Sequence, residues 1–291
     1  MIGRMRIAIV GFGLIGGSIA RALRAPGAAT APLDPVELVA WSRHRRDPRM
    51  AVDAGILDDA PGDLEATVDG AGLVILAAPP LASLDLVREF ADPLRGALGA
   101  DATLTDVAST KQTIMLAADR LALRFVGGHP MAGREATGFA AAEADLFVDR
   151  PWVICPGAHA DAEAVARVEA LARACGAHPI AMDPAIHDRA TAAVSHVPLI
   201  VAAALVEAMT GDSIWPEAAP LAAGGWQAMT RLARGDPAMG AGIALTNGPA
   251  VADGLREVRA AIDDWIATLD GDPVPADLEA RFRAARDRLG S

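Results

Sequence analysis

Tyrosine is absent from this 291-residue sequence, and lysine occurs once, at Lys111. The first absence removes the phenol as an acid or base, and the second leaves arginine to carry nearly all the positive charge. Cysteine occurs only at Cys155 and Cys175, which form no metal or redox motif. Their positions read as a strand and a helix end, so buried thiols in a cytoplasmic setting are expected. Positive charge is in deficit: the net charge of −11 argues against nucleic acid or an anionic membrane as a partner. No set of His, Cys, Asp and Glu has ligand spacing, so no metal is expected. Long apolar runs are also scarce. The longest, residues 197–209, is interrupted by Pro198 and Glu207, is too short to span a bilayer, and reads as a buried helix. The apolar stretch after Arg4 and Arg6 mimics a secretory leader, but its glycines and Arg21 fit a strand, turn and helix better.

What is present is globular: 52% hydrophobic and 22% charged residues, enough for one large or two ordinary domains with a substantial core. Residues 5–10 form a β-branched apolar run that ends in Gly11-Phe12-Gly13-Leu14-Ile15-Gly16-Gly17-Ser18 and continues as a helix. This is G-x-G-x-x-G between a strand and a helix. The first glycine permits the tight turn, the second admits a pyrophosphate to the backbone, and the third lets the helix pack on the strand. Helix N–H groups then meet the negative charge. A second strand, 36–41, ends in Ser42-Arg43-His44-Arg45-Arg46. An acidic residue normally stands there to accept from a ribose 2′-OH, and none does. Ser42 and Arg43 instead suit a 2′-phosphate, which favours NADP while admitting NAD; Arg45 and Arg46 read as surface. A third strand, 72–77, runs into Ala78-Pro79-Pro80, placing Ala78 and Pro79 near the nicotinamide, and a helix over 82–94 follows.

Two further strands carry the chemistry. Residues 103–107 lead to Ser109, and Phe125-Val126 lead through Gly127-Gly128 to His129, which sits at a strand's carboxyl end just before Pro130. In open parallel α/β sheets ligands bind outside the carboxyl ends of the strands. His129 is therefore the candidate general base, beside glycines that admit a ligand. Ser109 can share the substrate hydroxyl or orient the imidazole, and also N-cap a helix beginning at Thr110. Residues 134–150 are a charged, alanine-rich connection, and strands at 152–155 and 179–182 flank a helix over 161–175. From Ala185 onward only helical periodicity remains. The boundary is placed at Asp183-Pro184, giving a Rossmann-like NAD(P)-binding domain over 1–183 and an all-helical domain over 184–291 for substrate binding and dimerisation. Its apolar richness points to a homodimer, against a self-contained bundle. Arg189 and His196 are seven apart, hence on one helical face, either as a polar seam facing the cleft or as structural hydrogen bonding. Gly224-Gly225-Trp226-Gln227-Ala228-Met229-Thr230-Arg231 ends in an arginine suited to a carboxylate, or to a surface ion pair.

Together these segments resemble the prephenate and arogenate dehydrogenases of tyrosine biosynthesis. The resemblance runs through the glycine fingerprint, Asp106-Val107-Ala108-Ser109-Thr110-Lys111, and Gly128-His129-Pro130-Met131-Ala132-Gly133 with Glu135 and Gly138. It continues through Leu146-Phe147, His187-Asp188, Ser195-His196-Val197-Pro198 and Thr230-Arg231-Leu232-Ala233. It implies hydride transfer from C4 of a cyclohexadienol to nicotinamide, with loss of CO2 from C1 and aromatisation. His129 would take the C4 hydroxyl proton, Ser109 would support it, and Arg231 would grip the ring carboxylate, with His196, His187 and Gly224 on the substrate side. Three positions depart from the prephenate-specific pattern: Leu199 for a histidine, Gly240 for a tryptophan after Met239, and Ala228 for an aspartate. The first two, with Ser42-Arg43, resemble NADP-using arogenate enzymes, so arogenate or dual use is expected. No regulatory domain is expected after residue 291. Two other classes remain open. A β-hydroxyacid-type dehydrogenase would need a catalytic lysine on the helical half, whereas Lys111 lies on the other. A non-catalytic NADP-binding sensor would need neither His129 nor Arg231.

Overall fold

The computed structural model describes residues 4–27, 33, 36–44, 46–92, 94–99, 101–134, 136–271 and 274–290; Arg45 and Glu135 fall outside them. Apolar runs rich in Val, Ile and Leu build seven strands: β1 (Met5–Val10), β2 (Val36–Trp41), β3 (Leu73–Leu76), β4 (Thr103–Asp106), β5 (Phe125–Pro130), β6 (Pro151–Pro156) and β7 (His178–Ala181). They form one sheet in the order β2-β1-β3-β4-β5-β6-β7. All neighbours are parallel except β5 and β6, where His129 opposes Val153. His129 stands at the carboxyl end of β5, as expected, and the antiparallel partner pairs as far as Pro130. β1 to β5 are almost wholly buried, as expected of strands covered on both faces.

Helices α1 (Leu14–Arg24), α2 (Arg46–Asp53), α3 (Leu64–Val68), α4 (Pro80–Ala91), α5 (Gln112–Arg120) and α6 (Ala162–Ala174) belong to the sheet half. Two apolar clusters lie on the sheet's opposite faces. One centres on Ile7, Ile9, Leu38 and Trp152, the other on Ala8, Val10, Leu76 and Phe125. The residues alternate along β1 because successive side chains of a strand point to opposite faces. Asp161 caps α6, accepting from the Ala164 amide at 2.8 Å. Both cysteines are buried and unpaired; burial pushes the Cys155 thiol up to about 12 and the Cys175 thiol up as well.

The rest is helical: α7 (Pro184–Thr191), α8 (Val197–Thr210), α9 (Trp215–Ala218), α10 (Gly224–Thr230), α11 (Pro237–Thr246), α12 (Gly248–Asp270) and α13 (Pro275–Arg288). A π-helical turn, Ala192–His196, joins α7 to α8. Pro198 offers no N–H and its ring crowds the preceding turn, which a widened turn relieves. The extra residue also rotates the register. His187, Asp188, Thr191 and His196 are buried while Arg189 is exposed, so Arg189 and His196 do not share a face.

Helix α8 is not the buried helix that its sequence suggests. Only Val197 and Ala202 of its fourteen residues are buried. Pro184–Thr210 is the one stretch among the described residues long and apolar enough to cross a membrane by length and composition, yet only 22% of its 18-residue apolar window is buried within the chain. Among the described residues, the buried hydrophobic side chains of the helical half are Ala192, Val197, Ala202, Ile243 and Val251. A self-contained bundle of this length would bury far more.

Candidate active site

The glycine turn is built as its spacing requires. Gly11 has φ +94°, and a Cβ there would lie 2.4 Å from the Ala77 carbonyl oxygen. A Cβ on Gly16 would lie 2.4 Å from the Gly11 oxygen, so strand, turn and helix touch backbone to backbone. A Cβ on Gly13 would meet nothing within 4 Å. Its backbone faces open space at the N-terminus of α1, which has neither a side-chain cap nor an acidic residue in its first turn. Uncapped N–H groups beside an open glycine fit a pyrophosphate. Gly13→Ala is accordingly expected to leave the melting temperature nearly unchanged while weakening dinucleotide binding about tenfold or more, as read by cofactor titration of tryptophan fluorescence. Unchanged affinity would remove Gly13 from the cofactor site.

Residues 134–150 do more than connect. Phe139 packs on Phe12 with ring centroids 5.1 Å apart and lies under the Arg21 guanidinium. The Glu143 amide donates to the Ser18 hydroxyl at 3.0 Å. At the end of β2, the Ser42 hydroxyl donates to the His44 carbonyl at 2.7 Å, while Arg43 is exposed. Arg43 thus stands as the free-reaching cation of that pair. Ala78 lies against the glycine turn, its amide nitrogen 3.3 Å from a Cβ on Gly11, and Pro79 caps α4.

At the ends of β4 and β5 lies a hub that sequence reasoning missed. Asp106, fully buried, accepts from the Gly128 and Ala108 amides, each at 3.1 Å, and pairs with the fully buried Lys111 ammonium. The neighbouring glycines serve this packing and do not admit a ligand. A Cβ on Gly128 would sit 2.6 Å from the Asp106 carbonyl oxygen, and one on Gly127 would sit 2.6 Å from Met115 Sδ. Helix α5 begins at Gln112, so Ser109 is not its cap. The Asp188 carboxylate of α7 caps it instead, accepting from the Lys111 amide at 2.7 Å and the Gln112 amide at 2.9 Å. The Ser109 hydroxyl is left buried and without a hydrogen-bond partner.

His129 lies against the same α7. Its Nδ1 is 2.8 Å from His187 Nε2, and His187 Nδ1 is 2.8 Å from Asp188 Oδ1. Both nitrogens of His187 are engaged and its side chain is 1% exposed, so it backs His129 and does not face a substrate. Burial, then the neighbouring His187, Lys111 and His196, hold His129 well below the ordinary imidazole range. His196 is anchored by the Asn247 side-chain amide, which donates to Nδ1 at 3.0 Å and to the Asp188 carbonyl at 2.8 Å. Its Nε2 must then carry the proton, and that N–H is buried and unpartnered. An orphaned hydroxyl and an orphaned imidazole N–H beside one another's network are what a polar ligand would complete.

His196 also sets a pH dependence. Burial first, then His187, outweigh Asp188 and push its pKa down to about 4 from 6.5. Above pH 6.5 folded and unfolded rings are both neutral. As pH falls, the unfolded ring binds a proton that the folded one refuses, so stability is lost between the two values, by about 3 kcal/mol in full. Urea midpoints at pH 7 and 4.5 should fall less steeply for His196→Gln than for the parent protein. Equal slopes would contradict a neutral, buried His196.

Arg231 opens a 3-10 turn directly after α10, exposed, on a segment that packs against α8. Gly224 is exposed at the first position of α10, with nothing within 4 Å of a Cβ. Neither is brought onto His129 by a described contact. The helical half instead reaches the sheet half through α7 on α5 and α11 on α4. Leu199 and Gly240, far apart in sequence, are neighbours: a Cβ on Gly240 would lie 3.9 Å from Leu199 Cδ2.

Both halves of the chain are similar to known proteins. Residues 19–181 match the family model for the prephenate dehydrogenase nucleotide-binding domain, and residues 183–279 match that for the prephenate dehydrogenase dimerization domain. A Bacillus subtilis prephenate dehydrogenase is 34% identical over 270 residues, spanning 91% of this chain and 68% of that protein. The crystal structure of Synechocystis arogenate dehydrogenase superposes with TM-score 0.79 at 32% identity, covering 98% of this chain and 100% of that one. Prephenate dehydrogenase from A. aeolicus, solved with hydroxyphenyl propionate and NAD+, superposes with TM-score 0.86 at 25% identity, covering 99% and 98%. The chain belongs to the prephenate/arogenate dehydrogenase family, oxidoreductases that use a nicotinamide dinucleotide.

Proposed function

We propose that this chain oxidatively decarboxylates arogenate, with prephenate as a second substrate, and prefers NADP to NAD. The observation that carries the reaction is His129, held neutral at a strand end, with the unpartnered Ser109 hydroxyl and His196 N–H on the flanking segments. The dinucleotide would lie on Gly11, Phe12, Gly13, Leu14, Ile15 and Gly16, with Ala78 and Pro79 along its nicotinamide side, and when bound it supplies the hydride acceptor. His129 takes the proton of the C4 hydroxyl, and Ser109 hydrogen-bonds the same oxygen. Base catalysis of this kind contributes about 10²- to 10⁴-fold. Arg231 serves the ring carboxylate, with Gly224 in the same segment. Aromatisation drives the loss of CO2, so the protein has mainly to orient the substrate and accept a proton.

The substrate preference rests on Leu199 and Gly240. They form one small, uncharged patch between α8 and α11, where a histidine and a tryptophan would stand in prephenate-specific relatives. The NADP preference rests on Arg43 alone, since the Ser42 hydroxyl is spent on its own turn. Lys111 speaks against a β-hydroxyacid-type dehydrogenase, because it is buried in an ion pair with Asp106. We read the enzyme as a cytoplasmic homodimer. The exposed apolar length of Pro184–Thr210, with Ile262, Ile266, Leu269 and Phe282 exposed on α12 and α13, is the surface a second copy would cover. Division into units of 1–183 and 184–291 follows the change from sheet to helix between Ala181 and Pro184.

Initial rates with arogenate and prephenate, each with NADP and NAD, test this reading. Arogenate with NADP should give the highest kcat/KM, and Arg43→Ala should erase the cofactor preference. A prephenate–NAD preference would overturn the specificity reading. No turnover with any pair, in folded protein that binds cofactor, would overturn the activity.

A further inference from the structure

The contacts of His129 determine more than its position. Asp188 Oδ1 can only accept, so His187 Nδ1, at 2.8 Å, carries a proton. With one proton on each ring, His187 Nε2 is then a bare lone pair, and His129 Nδ1, 2.8 Å away, must be the donor. The rings meet edge-on at 74°, which is compatible with such a bond. That leaves the lone pair of His129 on Nε2. In water a neutral imidazole favours the opposite tautomer, and no other described contact engages either nitrogen of this ring.

We propose that His187 and Asp188 are positioning residues that hold His129 in its Nδ1–H tautomer, so that Nε2 receives the substrate proton. The proposal rests on the reading of His129 as the base, and adds how that base is prepared. Neither positioning residue touches the reacting atoms. Both are nearly inaccessible, at 1% and 2% exposure, and Asp188 is doubly fixed by the Lys111 and Gln112 amides that it caps. The carboxylate does not take the proton. After transfer, the new N–H is on Nε2 of His129 and the positive ring is stabilised through His187 by the Asp188 charge. The orientation exists only while α7 is seated on α5, so the base is assembled by the docking of the helical half on the sheet half.

The test is the nitrogen spectrum of uniformly 15N-histidine-labelled protein, which contains six histidines, with His129 identified as the set missing from His129→Asn. In the parent protein His129 should show a protonated Nδ1 and a bare Nε2. A bare Nδ1 would overturn the proposal outright, whether or not any variant folds. His187→Leu keeps the Asp188 caps but removes the acceptor. It should convert His129 to Nε2–H, or to a mixture, and lower kcat about 10²-fold or more with little change in KM, as a wrong tautomer does in other histidine-base enzymes. His187→Gln can offer an oxygen to His129 and an N–H to Asp188, and should restore the Nδ1–H signal and most of kcat. A purely structural His187 would leave tautomer and kcat unchanged in His187→Leu, and that result would overturn the proposal. A tautomer that responds as expected in a protein whose His129→Asn variant still turns over would instead refute the base, leaving the positioning intact.

Discussion

His129→Asn should lower kcat by about 10²- to 10⁴-fold while leaving cofactor affinity and melting temperature close to those of the parent. The expectation follows from three features. The ring sits at the end of β5, partly exposed, with no described protein group on Nε2. Its surroundings keep it neutral well below the ordinary imidazole range, so it stays a competent acceptor on the acid side of neutrality. Asparagine preserves a donor for His187 but cannot hold a proton taken from an alcohol. The acid limb of kcat/KM in the parent enzyme should accordingly fall well below pH 6.5, because activity is lost only where His129 becomes protonated. A limb at or above that value would mean that another group titrates. Turnover of His129→Asn within a few-fold of the parent would remove His129 from the chemistry.

The largest effect on stability is expected at Asp106. Asp106→Asn keeps the shape and one acceptor but leaves the Lys111 ammonium buried, unpaired and fully desolvated. Removing one partner of such a pair costs about 3–5 kcal/mol, against the 5–15 kcal/mol of a whole domain. The amides of Ala108 and Gly128 also bind that carboxylate, so the loops carrying Ser109 and His129 loosen together. Chemical denaturation should show the full loss for Asp106→Asn and recovery of a large part of it in Asp106→Asn with Lys111→Met, where no charge remains. A single variant within about 1 kcal/mol of the parent would mean that water reaches Lys111. Recovery in the double variant distinguishes an uncompensated charge from simple loss of hydrogen bonds.

The sheet half was legible in the sequence because its signals are local. Val, Ile and Leu runs, the spacing of Gly11, Gly13 and Gly16, and a histidine before Pro130 all act within a few residues. Contacts between distant residues were not. Asp188 caps the Lys111 amide from 77 positions away, and nothing in the alternation near Thr110 reveals that the cap is supplied from outside. Ser109 was the natural local candidate and proved to be unpartnered. Gly127 and Gly128 read as ligand access and serve instead to let Met115 and Asp106 approach the strand, which only the packed neighbour can show. The π-turn before Pro198 shifts the face of one helix by a residue, and a seven-residue spacing drawn across it fails for that reason. The apolar run of α8 reads as a buried helix, yet only Val197 and Ala202 are buried, because burial depends on what packs over a helix and not on its composition alone.

The polar seam between the halves also fixes how the chain comes apart. The Thr246 hydroxyl donates to the Gly242 carbonyl at 2.7 Å, so the Thr110 hydroxyl must donate to Thr246, at 2.8 Å. Thr113 donates to the Thr246 carbonyl, and Asp188 holds the Lys111 and Gln112 amides at the start of α5. Separating the halves with each still folded would strand these groups at about 1–3 kcal/mol apiece where water does not replace the lost partner. Opening this seam therefore competes with unfolding of either half, and a calorimetric scan should contain a single peak where a two-domain chain would ordinarily give two.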